Sequence, residues 1–109
     1  ASIARAVAAG IPLLAGTDLP PAGDVGGVPA TVRELQLLEE VGCSRLRALQ
    51  AVSVNPARLL GCSGWLGQVR PRFRADLLVL EANPLDDLAA MASVRTVIQD
   101  GRVVAGAGQ

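Results

Sequence analysis

The sequence predicts an α/β chain in two parts of different rhythm. Up to Gly61, apolar residues recur at helical spacing around one short uninterrupted apolar run, whereas from Gly64 onward short apolar runs alternate with turn residues, as strands do. Size and composition complete the case. The chain has 109 residues, half of them apolar, and its ten arginines balance ten acids with no run of one sign, which suits one compact unit.

Each element follows from local chemistry. Ser2 to Ala9 is alanine-rich and ends at Gly10, as the last turns of a helix do. Ile11 to Ala15 is an apolar run of strand length, and the "LPPAGDVGGVP" that follows Asp18 is predicted to be a loop without regular structure. Val32, Leu35, Leu38 and Val41 then recur at helical spacing, with Arg33, Glu34, Gln36, Glu39 and Glu40 on the other face and Gly42 as the stop. Ser44 is expected to cap a second helix with Leu46, Leu49 and Val52 facing inward. Asn55 before Pro56 is expected to cap a third, ending at Gly61. Beyond it, "GQV" and "ADLLVL" read as strands around a proline turn, "NPLDDLAAM" as a short helix, and "TVIQDGRVV" as a hairpin turning at Asp100 and Gly101. The final "AGAGQ" is expected to fray.

Absences remove whole mechanisms. There is no histidine, and every basic residue is an arginine. A Ser-His-Asp or Cys-His site therefore lacks its base, a phosphate-binding loop lacks its lysine, and a zinc site built on imidazoles cannot be completed from this chain. With no tyrosine, and with Trp65 and Phe73 as the only aromatic residues, no stacking platform for single-stranded nucleic acid is present, and the neutral charge gives no electrostatic reason to expect one. Cys43 and Cys62 read as two small buried hydrophobes. No apolar segment reaches membrane-spanning length and residues 1 to 16 do not form a signal peptide, so a cytoplasmic location is expected. The chain begins at Ala1 rather than methionine, and its natural start is expected upstream.

The order of motifs carries a resemblance. "GIPLLAGTD", a Gly/Pro loop, "VRELQLLEEVG", "ALQAVSVNPARLLG", "LGQVRPRFRADLLVLEANPLDDL" and "VRTVIQDGRVV" together are similar to the C-terminal end of a metal-dependent amidohydrolase of the imidazolonepropionase-like and prolidase-like group. The resemblance covers nearly the whole chain. It implies the C-terminal portion of a distorted (β/α)8 barrel, residues 1–61, followed by the C-terminal part of a small composite β-sandwich, residues 62–109. Residues 11–17 would be the last barrel strand.

The same resemblance assigns the site. The family's aspartate at the position of Asp18 binds a metal and accepts a proton from the water it activates, so Asp18 is the expected catalytic and metal-binding residue. One or two divalent ions, with zinc the expected metal, would serve a small-molecule amide-type substrate. The histidine and lysine ligands would come from the rest of the barrel, upstream. Barrel chemistry sits at the C-terminal ends of strands, which is where Asp18 stands.

Alternatives accompany each residue. From the residues alone, Asp18 reads more readily as an acid capping its loop by accepting backbone N–H groups. Thr17 and Asp24 lie near the expected mouth, Asp24 most simply as a solvated loop residue. Asp76 reads as structural, and Arg58 as a residue of helix packing or of a C-terminal carbonyl. Similar sequences read Pro-Gly-Lys where this one has Pro71, Arg72, Phe73 and Arg74. A positive φ there would cost Arg72 about 1 kcal/mol. A free-standing small α/β binding or structural module without catalysis is the alternative for the whole chain. The unalternating "PLLAG", of the kind covered on both faces and paired on both edges, speaks against it.

Overall fold

The computed structural model describes residues 2–20 and 23–106. Its elements run α1 (Ser2–Ala8), β1 (Asp24–Val25), β2 (Val28–Pro29), α2 (Ala30–Glu40), α3 (Arg45–Gln50), α4 (Val54–Leu59), β3 (Leu77–Leu80), a 3-10 helix (Leu88–Ala92), β4 (Val94–Gln99) and β5 (Arg102–Gly106).

The glycine stops act through one geometry. After α1, α2 and α4, the glycines Gly10, Gly42 and Gly61 take positive φ of 74°, 99° and 74°. In each case the next residue's N–H reaches back to a carbonyl of the last turn: Ile11 to Ala6, Cys43 to Leu38 and Cys62 to Ala57. These are Schellman closures, which need a residue free of the Cβ penalty at that position.

The helical core is built from Val7, Leu35, Leu38, Cys43, Ala48, Ala51 and Leu88, with Leu13, Ala15, Leu49, Val52 and Met91 packed against it. In α3 the inward face is Ala48 rather than Leu46, which is 56% exposed, because the helix is short and packs closely on α2 through its small residues. Ser44 caps α3, accepting the N–H of Arg47. Leu88 of the 3-10 helix is fully buried beside Leu35, so the second part of the chain contributes to the core of the first. Arg45 reinforces this contact, pairing with Glu39 at 2.6 Å and donating to the Leu85 carbonyl at 3.2 Å.

The three longer strands form an antiparallel sheet in the order β3-β4-β5. Gln99 pairs with Arg102 around Asp100 and Gly101, whose φ values of 49° and 77° make the two-residue turn that the Asp-Gly pair predicts. Arg72 does adopt the strained conformation, with φ of 71°.

Four further expectations are corrected. The Gly/Pro loop is not wholly irregular: Asp24 pairs with Pro29 and Val25 with Val28 around Gly26-Gly27, a two-residue hairpin made possible by two positive φ values. "GQV" forms no strand, because the chain turns tightly between Cys62 and Gln68. The N-cap of α4 is Ser53, and Asn55 lies inside the helix. Ala105 and Gly106 are paired in β5 rather than frayed, while 107–109 lie outside the described residues. Cys43 is buried as expected, and Cys62 only half so. No helix among the described residues is long and apolar enough to cross a membrane.

Candidate functional site

Residues 11–17 run extended but lie in no strand ladder among the described residues. Their side chains alternate. Leu13 and Ala15 pack against the helical core, whereas Leu14, 48% exposed, and Gly16 face away from it. Backbone groups alternate too: on one edge the Leu13 carbonyl and the Ala15 N–H are bonded to Asn55 and Ala51, while Leu14 and Gly16 have no hydrogen-bond partner among the described residues. The run therefore has one edge held by helices and one edge open.

Asp18 ends this run. It is exposed, with φ of 53°, a left-handed conformation that aspartate tolerates better than most residues. Its carboxylate has no hydrogen-bond or ion-pair partner among the described residues. The loop-capping role goes to its neighbour: the Thr17 hydroxyl accepts the N–H of Leu19 at 3.2 Å. Thr17 also lines, with Leu19, Pro20, Gly23, Pro29, Ala30 and Thr31, a cavity of about 270 Å³ between the end of the run and the start of α2. Asp24 points its carboxylate into its own hairpin, accepting from the Gly27 N–H at 3.3 Å.

Asp18 can act as one ligand of a metal, since an unpartnered carboxylate at the end of a fixed run is a ready oxygen donor. It cannot act as a whole site. Among the described residues no three of His, Cys, Asp or Glu stand close enough to hold an ion, and a zinc site takes four ligands as a rule.

Asp76 and Arg58 fall elsewhere. Asp76 accepts the backbone N–H of Asp100 and pairs with Arg74, away from Asp18 in the β-rich part. Arg58 is exposed on a cleft of about 290 Å³ that it shares with Gly10, Pro12, Leu13 and Arg47, at the other end of the run. The arginine that binds carbonyls at the end of α1 is Arg47, which donates to Val7 O at 3.0 Å and Ile11 O at 3.3 Å. No local pattern marks Arg47, and Asn55, expected as a cap, bonds to Leu13 instead. An Asn-Pro pair signals a helix start, and nothing in it tells a capping asparagine from one that reaches across to another segment.

The family profile described as the Amidohydrolase family matches residues 1–104. An ochratoxinase of Aspergillus niger is 32% identical over 108 residues, which are 94% of this chain and 21% of that protein. An adenine deaminase of Moorella thermoacetica is 41% identical over 70 residues, 64% of this chain and 11% of that protein. Among solved structures, a Xaa-Pro dipeptidase with bound methionine in its active site superposes with a TM-score of 0.83 at 27% identity, over 96% of this chain and 25% of that one. The chain thus spans about a fifth or less of the length of these curated relatives.

Proposed function

The chain belongs to the amidohydrolase family, and from that membership we propose that it is the C-terminal part of a metal-dependent enzyme that hydrolyses carbon–nitrogen bonds of small amide-type molecules. In this reading residues 1–61 close a distorted (β/α)8 barrel and residues 62–109 supply their share of a composite β-sandwich. Two observations support the barrel: the open backbone edge at Leu14 and Gly16, which suits a neighbouring strand, and the exposed face that Leu14 and Gly16 present away from the helices.

The placement of Asp18 carries the functional reading. It ends the run, exposed, with a carboxylate that serves no partner among the described residues and a loop already capped by Thr17. A divalent metal, zinc in the first instance and one or two ions in number, supplies Lewis acidity that brings the pKa of a water it holds from about 15.7 to about 7. Asp18 would contribute one oxygen ligand to it and would take the proton as the water oxygen forms its bond to the carbonyl or amidine carbon. As the carbon–nitrogen bond broke, the departing nitrogen would gain the proton that Asp18 had taken. The remaining ligands belong to upstream sequence, so the 109-residue chain alone is not active. A cytoplasmic enzyme is part of the same proposal.

The test is hydrolysis by the protein made from the full coding sequence, assayed against simple amides, cyclic amides, amidines and dipeptides. The reading expects turnover of at least one class that is lost on chelation and restored by zinc. Turnover unaffected by thorough chelation, or a folded, zinc-loaded protein inert toward all four classes, would overturn it.

A further inference from the structure

Between Pro12 and Thr17 only two hydrogen bonds tie the run that carries Asp18 to other segments of the described molecule. The Ala15 N–H donates to the Ala51 carbonyl at 3.0 Å, and the Asn55 amide Nδ2 donates to the Leu13 carbonyl at 2.8 Å. Both come from the α3–α4 corner, and both grip the same edge two residues apart. Such a pair fixes register. Because side chains alternate with period two, a slip by one residue would turn Leu13 and Ala15 out of the core and bring the face of Leu14 and Gly16 onto the helices.

Of the two bonds, only one is made by a side chain. Asn55 stands at the second position of α4, where asparagine is a poor helix former and no capping bond uses it. Helix formation therefore gives no reason for asparagine there, whereas the half-buried amide aimed at Leu13 O does.

We propose that Asn55 is a positioning residue for Asp18: its amide clamps the run at Leu13 and so sets where the Asp18 carboxylate stands at the run's end. The proposal rests on the catalytic reading of Asp18. Holding a reacting group in place is a large part of catalysis, and a misplacement of about 1 Å can cost about a hundredfold in rate.

Asn55→Asp in the full-length protein separates the clamp from the helix. The two side chains are nearly isosteric, and a negative charge in the first turn of α4 favours that helix. An ionised carboxylate only accepts, so the bond to Leu13 O is replaced by repulsion. Steady-state kinetics and thermal midpoints are measured for Asn55→Asp, Asp18→Asn and the double variant. We expect Asn55→Asp to lower kcat by about tenfold or more with KM within about twofold and the midpoint little changed. In the Asp18→Asn background it should lower kcat no further, as expected when one residue acts through the other. Equal factors in both backgrounds, or an Asn55→Asp protein that fails to fold, would assign Asn55 a purely structural role and overturn the proposal. Near-wild-type turnover of Asp18→Asn alone would show instead that the catalytic reading beneath it is wrong, and the proposal falls with it.

Discussion

The carboxylate of Asp76 accepts the backbone N–H of Asp100 at 2.9 Å, joining the approach to β3 to the tip of the β4–β5 hairpin. A second bond, from Gly101 N–H to the Ala75 carbonyl at 3.0 Å, runs beside it. The Asp100 bond, aided by Arg74 at 3.0 Å, holds the Asp76 carboxyl below the usual carboxylate range. An acid of this kind closes a sheet rather than performs chemistry.

The depressed pKa has a signed consequence. Folding favours the charged form, so the stability Asp76 contributes is fully present above the ordinary carboxylate value of the unfolded chain and is lost as pH falls through the lower folded value. Asp76→Ala in the full-length protein should therefore lower the thermal midpoint more at about pH 7 than at about pH 2. Turnover should be unaffected. A midpoint difference that does not shrink in acid would contradict the role given to this carboxylate.

Arg72, with φ of 71°, carries a backbone cost that glycine does not. Arg72→Gly should stabilise the protein by about 0.5–1 kcal/mol, the left-handed penalty of about 1–2 kcal/mol being partly offset by the greater freedom of glycine in the unfolded chain. Denaturant unfolding of the two proteins measures the difference. A loss of stability would mean that the Arg72 side chain contributes more than the strain removes.

What the sequence made legible was set by nearest neighbours along the chain. Gly10, Gly42 and Gly61 marked helix ends because a Schellman closure needs a residue that accepts positive φ. Asp100-Gly101 marked a hairpin because its turn needs two such residues in succession. The amphipathic face of α2 was likewise readable, since Val32, Leu35 and Leu38 are all buried. What was hidden depended on contacts between distant segments. The extended run around Leu13 was read as a strand from its apolar side chains, but a ladder needs neighbours, and the described residues supply helix-borne partners instead. The hairpin at Asp24–Pro29 was masked by prolines and glycines that equally suit an irregular loop. At the proposed site, Asp18 was assigned by resemblance alone, whereas Asn55 was taken for a cap because its reach to Leu13 across 42 residues leaves no local trace.

The 109-residue chain on its own should bind zinc weakly, since Asp18 supplies one of the usual four ligands. It should also self-associate, because the free edge at Leu14 and Gly16 can template another chain. Equilibrium dialysis and light scattering check both expectations. Micromolar or tighter zinc binding by a monodisperse monomer would contradict them.

If Asp18 acts as ligand and base, Asp18→Asn in the full-length protein removes both the charge and the basicity that the role needs. Asparagine keeps the size and one coordinating oxygen, and it tolerates the left-handed backbone at φ of 53°, so the change isolates charge and basicity. General-base assistance is worth about 10² to 10⁴-fold. Turnover should fall by at least about a hundredfold while the thermal midpoint in the presence of zinc stays nearly unchanged. Turnover close to wild type at full metal occupancy would contradict it and leave Asp18 as a residue chosen for its backbone conformation.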